Sequence, residues 1–169
     1  MPHSCIAALL RALNHIMTSV PYDHPAALPV ALWMLDRDDL FEAVPQSWDR
    51  SSVDPIIWRA LSKLVAGKTA LSTPSSLFTV RQQAEHTGLM ELTDTEDDIL
   101  AFLVACAKCD DLAALVEMLS EGTGLALVDV QALCVGVTAA EVTAILTGPL
   151  SKTGLITDGR ASEALLRDT

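Results

Sequence analysis

Thr93-Asp94-Thr95-Glu96-Asp97-Asp98-Ile99-Leu100-Ala101-Phe102-Leu103-Val104-Ala105-Cys106 is the stretch that decides the fold. A Thr followed three residues later by Glu is a capping box, in which each side chain satisfies the other residue's free backbone N–H. The carboxylates of Asp94, Glu96, Asp97 and Asp98 then lie in the first turns, where the helix dipole favours negative charge. Behind them comes a run that is apolar almost all round. A helix of that kind has no face for water, so it is expected at the buried centre of a helical fold.

The same signals recur on both sides. Upstream, Ile6, Leu9, Leu10, Leu13, Ile16 and Met17 recur at helical spacing, and Pro21 ends that helix. Pro29 fits a first turn, so a short helix is expected over Val30, Leu32, Trp33 and Leu35, and a further turn over Asp39 to Val44. Asp54-Pro55 reads as an N-cap followed by Pro at the first helical position. The helix behind it carries Ile56, Ile57, Trp58, Leu61, Leu64 and Val65, with Gly67 as its C-cap and Lys68 to Pro74 as a loop. From Ser75 a helix with Leu77, Phe78, Val80 and Ala84 closes at Gly88.

Downstream, Asp110 or Asp111 caps a helix carrying Leu112, Leu115, Val116 and Leu119, stopped by Gly122 and Gly124. Another helix spans about 126–135. Thr138-Ala139-Ala140-Glu141 is a second capping box, leading to Val142, Ile145 and Leu146. Gly148-Pro149 breaks the pattern, Leu155-Ile156 is the one extended piece, and a last helix is expected from Ala161 to Arg167. The fold class is therefore all-α. It is read as two helical subdomains, residues 1–70 and 76–169, and residues 111–156 of the second resemble a helix-turn-helix with a winged-helix tail.

Charge separates the two halves. The net charge is −11; residues 1–85 carry seven Lys/Arg and eight Asp/Glu, whereas residues 86–169 carry four and fourteen. Between His86 and Thr147 the one basic residue is Lys108. Nucleic-acid affinity rests on Lys and Arg neutralising phosphates, so a nucleic-acid partner is disfavoured. The expected recognition helix, residues 139–146, offers only Glu141 and Thr143 to base edges, and Lys152 and Arg160 are too few to hold a duplex. Anionic membranes are disfavoured for the same reason, and no run approaches the roughly 18 apolar residues of a membrane span. A basic protein partner is the class this charge attracts.

No motif for chemistry is complete. Cys106-Ala107-Lys108-Cys109 has no second pair at zinc-ligand spacing, with Cys5 and Cys134 single. It also sits at a helix C-terminus, where the dipole opposes a thiolate. The cysteines read as core packing, and with Met1 to Cys5 lacking a basic leader and Arg11 interrupting the apolar run, a reducing cytoplasm is expected. Gly67-Lys68-Thr69 resembles the end of a phosphate loop, but Ser62 stands where the motif needs Gly. The adjacent acids Asp38-Asp39, Asp97-Asp98 and Asp110-Asp111 cannot share one helix face, so they read as caps. His3, His15, His24 and His86 have no ligand partner at helical spacing and read as surface or capping residues. Neither a catalytic residue nor a cofactor is expected. Trp33 and Trp58 share faces with aliphatic residues and read as core. Trp48, in the polar loop Gln46-Ser47-Trp48-Asp49-Arg50, reads as a partner anchor. Candidate partner contacts are thus Trp48, Asp97, Asp98, Asp110 and Asp111.

The order from about Phe78 to Ile156 resembles the helical region upstream of the ATPase module in a group of bacterial AAA-family ATPases. The residues that carry it are Gly88-Leu89-Met90-Glu91-Leu92-Thr93, Ile99-Leu100-Ala101-Phe102, Asp110-Asp111-Leu112, Val135-Gly136-Val137-Thr138-Ala139-Ala140-Glu141-Val142 and Gly148-Pro149-Leu150-Ser151-Lys152-Thr153-Gly154-Leu155-Ile156. The match covers about half the chain and is built from common helix caps. It implies a non-catalytic recruiting, regulatory or assembly domain. The ATP-binding residues of that family have no counterpart here, so no catalytic role is carried over. The alternatives are a free-standing acidic binding protein, such as an antitoxin or small regulator, and a winged-helix DNA regulator.

Overall fold

The computed structural model describes residues 3–37, 39–41, 49–71, 92–148, 154–163 and 166. These form seven helices and one two-stranded sheet: α1 (His3–Ser19), α2 (Ala27–Leu35), α3 (Pro55–Leu71), α4 (Asp94–Lys108), α5 (Asp110–Thr123), α6 (Leu127–Val135), α7 (Ala139–Thr147), β1 (Ile156–Thr157) and β2 (Arg160–Ala161). The all-α reading stands at this level. The helix expected between Ser75 and Gly88, most of the turn over Asp39 to Val44, and Trp48 lie outside the described residues.

Both capping boxes form. Thr93 Oγ1 accepts from the Glu96 N–H at 3.2 Å, and the Glu96 carboxylate accepts from the Thr93 N–H at 3.0 Å. At the start of α7, Thr138 and Glu141 repeat the exchange at 3.2 and 3.1 Å. Asp54 Oδ1 accepts from the Ile57 N–H at 2.8 Å, so Pro55 begins α3 without a lost bond.

Four boundaries differ from the sequence reading. α3 runs through Gly67 to Leu71, so Lys68–Leu71 are helix and not loop. A glycine costs a helix interior only about 1 kcal/mol. Thr69 adds a hold by donating its hydroxyl to the Val65 carbonyl at 2.7 Å and approaching the Leu10 carbonyl of α1 at 3.4 Å. α5 has Cys109 and not an aspartate as its N-cap, and makes no side-chain cap bond there. Asp110 and Asp111 instead occupy its first turn, where the dipole still favours them. Gly122 lies inside α5, and Gly124 alone, at φ 71°, ends it. Ala161, read as the start of a helix, closes β2 instead, and helical residues follow at Glu163 and Leu166, where the Leu166 N–H donates to the Ser162 carbonyl at 3.0 Å. Thr157 pairs with Arg160 and Ile156 with Ala161 around Asp158-Gly159. Both turn residues have positive φ (53° and 73°), the requirement of a tight two-residue hairpin.

The core draws on both halves of the chain. Leu9, Leu13 and Ile16 of α1, Val30 and Met34 of α2, Leu61 and Val65 of α3, Ile99 and Leu100 of α4, Leu112, Leu115 and Leu119 of α5 and Val130 of α6 belong to one apolar cluster, nearly all without exposure. α1 packs most extensively on α3 and α6 and also touches α4 and α5, while α2 packs on α5 and β2 on α4. The packing among described residues therefore crosses the 68–75 stretch. Trp33 and Trp58 are buried within it, and the Trp58 indole donates to the Val20 carbonyl at 3.2 Å.

The cysteines correct one reading. Cys5 and Cys109, 104 positions apart, form a disulfide with Cα atoms 5.5 Å apart. α1 is laid over the junction of α4 and α5, which brings its first turn to the residue between those helices. Cys106 and Cys134 are free thiols, half-buried and buried. Linking residues about 100 apart removes on the order of 4 to 5 kcal/mol of unfolded-chain entropy in the loop-closure treatment.

Candidate interaction surface

Between α6 and α7 the chain turns on a glycine. Ala132 accepts at its carbonyl from both the Gly136 N–H (2.9 Å) and the Val137 N–H (3.1 Å), which closes α6 tightly. Gly136 takes φ 82°. A methyl group there would lie 3.0 Å from Cδ2 of His15, so this glycine is required both by the backbone and by the imidazole against it. His15 in turn places Nδ1 2.9 Å from the Cys134 carbonyl. Thr138 then starts α7, and the chain has turned by 108° between the two helix axes. Val142 faces inward, 1% exposed. Ala140, Glu141, Thr143, Ala144 and Thr147 are exposed, and none is a cation.

The acidic residues singled out from sequence divide by role. Asp98 pairs with Arg11 of α1 at 3.1 Å, and both side chains are more than a third exposed. Asp111 pairs with Arg37 at 3.1 Å, and the Arg37 guanidinium stacks over the Trp33 ring 4.7 Å from its centre. Both ion pairs run between the first and second halves, so these two carboxylates are matched by cations of the chain itself. Asp97, half-buried in the first turn of α4, has an internal partner as well. Asp110 is exposed.

A different set of carboxylates faces outward. Asp110, Ala114, Glu117 and Glu121 are exposed along α5 at steps of four, three and four residues, which is one helical face. Asp129 at the start of α6 is also exposed, and so is Glu141, whose carboxylate closes the capping box of α7. Sequence reasoning passed over Glu117 and Glu121, although their spacing opposite Leu112, Leu115, Val116 and Leu119 was the available signal.

A small cavity of about 40 Å3 lies between α1, α4 and α6. Alanines from α1 and α4 line it together with Phe102 and Cys134, and Arg11, Asp98 and His15 stand around it. Its size suits a few water molecules. Nearby, burial pushes the Cys106 thiol up from 9.0 to about 12. The Cys134 thiol is also pushed up, by burial first and then by repulsion from Cys106. Thiols held protonated in this way are poor nucleophiles. Among the described residues no group of three or more His, Cys, Asp or Glu is placed to hold a metal ion, and no single helix is long and apolar enough to cross a membrane. The Gly67-Lys68-Thr69 segment lies within α3.

Comparison of the chain with protein-family models, with curated proteins and with solved structures returns no match.

Proposed function

We propose that this chain is a non-catalytic protein-interaction and regulatory domain whose partner is a basic protein surface. The observation that carries the reading is the outward row of Asp110, Glu117 and Glu121 on α5. Such a row attracts a cationic partner and raises its association rate, and salt weakens the effect. The setting that fits best is the helical region ahead of the motor in a bacterial AAA-family ATPase, acting in the cytoplasm to recruit a substrate or partner. The chain needs no cofactor for this role and performs no reaction of its own. Asp110 remains a contact residue in this reading, and Trp48 remains the proposed aromatic anchor. Asp97, Asp98 and Asp111 stand apart from the row, Asp98 and Asp111 being turned to Arg11 and Arg37.

The test is to compare capture of partners by the native chain and by D110N/E117Q/E121Q at low and high salt. A basic protein held by the native chain and released by the variant is the expected result. Equal capture by both would sink the proposal. For the ATPase setting, the decisive check is whether the natural reading frame continues into a complete phosphate-binding loop; a stop codon after Thr169 would favour a free-standing binding protein.

A second reading is favoured by the 108° turn between α6 and α7, its three-residue connection with Gly136, and the hairpin that follows. Helix-turn-helix units have this crossing and turn length, and a hairpin after the second helix is wing-like. This supports a winged-helix-type unit as the architecture. The exposed face of α7 offers no Arg, Lys, Asn or Gln to a groove, so the unit is read as a protein-binding relative of DNA readers. A gel shift with duplex DNA at low salt distinguishes the two, and a retarded band would favour DNA.

A further inference from the structure

The four cysteines fall into two chemically different pairs, and the difference follows from where each lies. Cys106 and Cys134 sit on α4 and α6, with their thiols kept protonated by burial. Cys5 and Cys109 are disulfide-bonded and each only 4% exposed. Cys5 lies in the first described turn of α1, behind His3, which is exposed, and Ser4, which is half-buried. The opening turn of a helix frays at a free-energy cost near zero. Past that turn α1 is fixed by Leu9, Leu13 and Ile16. The bond is thus buried in the closed form and reachable through a local opening of that turn.

We propose that Cys5–Cys109 is a reversible clasp, opened by a dithiol reductant, that ties the first turn of α1 to the α4–α5 junction. In the reduction the dithiol attacks one sulfur of the bond and forms a mixed disulfide. Its second thiol then closes on the first, leaving as the oxidised cyclic disulfide. The chain gains two electrons and two protons and ends with thiols at Cys5 and Cys109. Disulfides of reducing compartments are characteristically transient and redox-sensing, whereas those of secreted proteins persist. The regulatory use of the clasp therefore rests on the cytoplasmic setting proposed above; its chemistry does not. Opening frees Cys109 at the base of α5, the helix that carries the acidic row, so the clasp links thiol status to the firmness of that surface.

The experiment uses the full chain after mild oxidation, alkylated under native conditions and mapped by mass spectrometry. The linked Cys5–Cys109 peptide is expected, with Cys106 and Cys134 alkylated slowly. Adding dithiothreitol in native buffer is expected to break the link, make Cys5 and Cys109 alkylate well ahead of the other two, and lower the melting temperature by roughly 10 °C. Re-oxidation restores the original value. The C5A/C109A variant is expected to melt near the reduced native chain and to ignore the dithiol. Absence of the linked peptide, a link that survives the dithiol until the chain is denatured, or a variant that still responds to the dithiol would each overturn the clasp. If the variant does not fold, the mapping of the native chain decides alone. A chain shown to reside in an oxidising compartment would remove the cytoplasmic reading while leaving the dithiol response intact.

Discussion

A methyl group added at position 136 meets two obstacles, and a comparison within the chain separates them. Gly124 and Gly136 both take positive φ, 71° and 82°. Space around Gly124 is open, whereas at Gly136 the His15 ring stands 3.0 Å from where a Cβ would lie. Gly124→Ala should cost about 1 kcal/mol from the backbone alone, and Gly136→Ala about 2 to 3 kcal/mol. Urea unfolding measures both, and His15→Ala in the Gly136→Ala background should recover most of the difference. Equal costs at the two glycines would mean that the ring yields freely. At the same scale, the raised thiol of Cys106 sets a pH dependence. The folded chain keeps a proton that the unfolded chain releases near pH 9, so the contribution is intact below pH 9 and is lost as pH climbs from 9 toward 12. Cys106→Ala should make the alkaline decline of the urea midpoint shallower over that window.

Among elements, the two cross-chain ion pairs are unequal. Arg11 and Asp98 are 42% and 38% exposed, and a pair so open to water contributes well under 1 kcal/mol. Arg37 is less exposed, pairs with Asp111 and also stacks on Trp33. Removing it loses packing on the ring along with the charge. Arg37→Ala should therefore destabilise by about 1 to 2 kcal/mol and Arg11→Ala by less than about 0.5, and only part of the Arg37 effect should vanish in salt. Thr138→Ala removes the hydroxyl that accepts from the Glu141 N–H and should cost about 1 kcal/mol. Elements were the most legible level of the sequence. Both capping boxes, the Asp54-Pro55 start and the stripe of α1 are local signals, each fixed by residues within one or two turns. Gly67 misled because a single glycine is a weak helix breaker when the next turn can pack. Asp158-Gly159 carried a hairpin signal that the reading of Ala161 as helical obscured.

At the scale of the whole molecule, the candidate surface was legible only in its charge. Which acids would be consumed by ion pairs depended on α1 and α2 lying against α4 and α5, a matter of packing between residues about 75 to 90 positions apart. The Cys5–Cys109 bond is a similar long-range fact: no local pattern joins a first-turn cysteine to the second cysteine of a C-x-x-C. Because Leu13 of α1 and Leu112 of α5 both have no exposure and belong to one cluster, Leu13→Ala and Leu112→Ala should each cost about 2 to 5 kcal/mol. Each should lower a single cooperative transition followed by far-ultraviolet and tryptophan signals together. A variant in which the tryptophan signal moves without the helical signal would show two units unfolding separately.

The placement of α1 has a consequence for synthesis. Its widest packing is against α3 and α6, so part of its apolar stripe is completed only by residues more than a hundred positions later. At translation rates of about 5 to 20 residues per second, that stripe stays partly uncovered for several seconds while the ribosome works toward Val135. Contacts of such long sequence separation also slow folding once the chain is free. A helix that emerges ahead of its partners is thus among the last to be fully enclosed, and for that interval the nascent chain offers chaperones a stripe that the finished protein conceals.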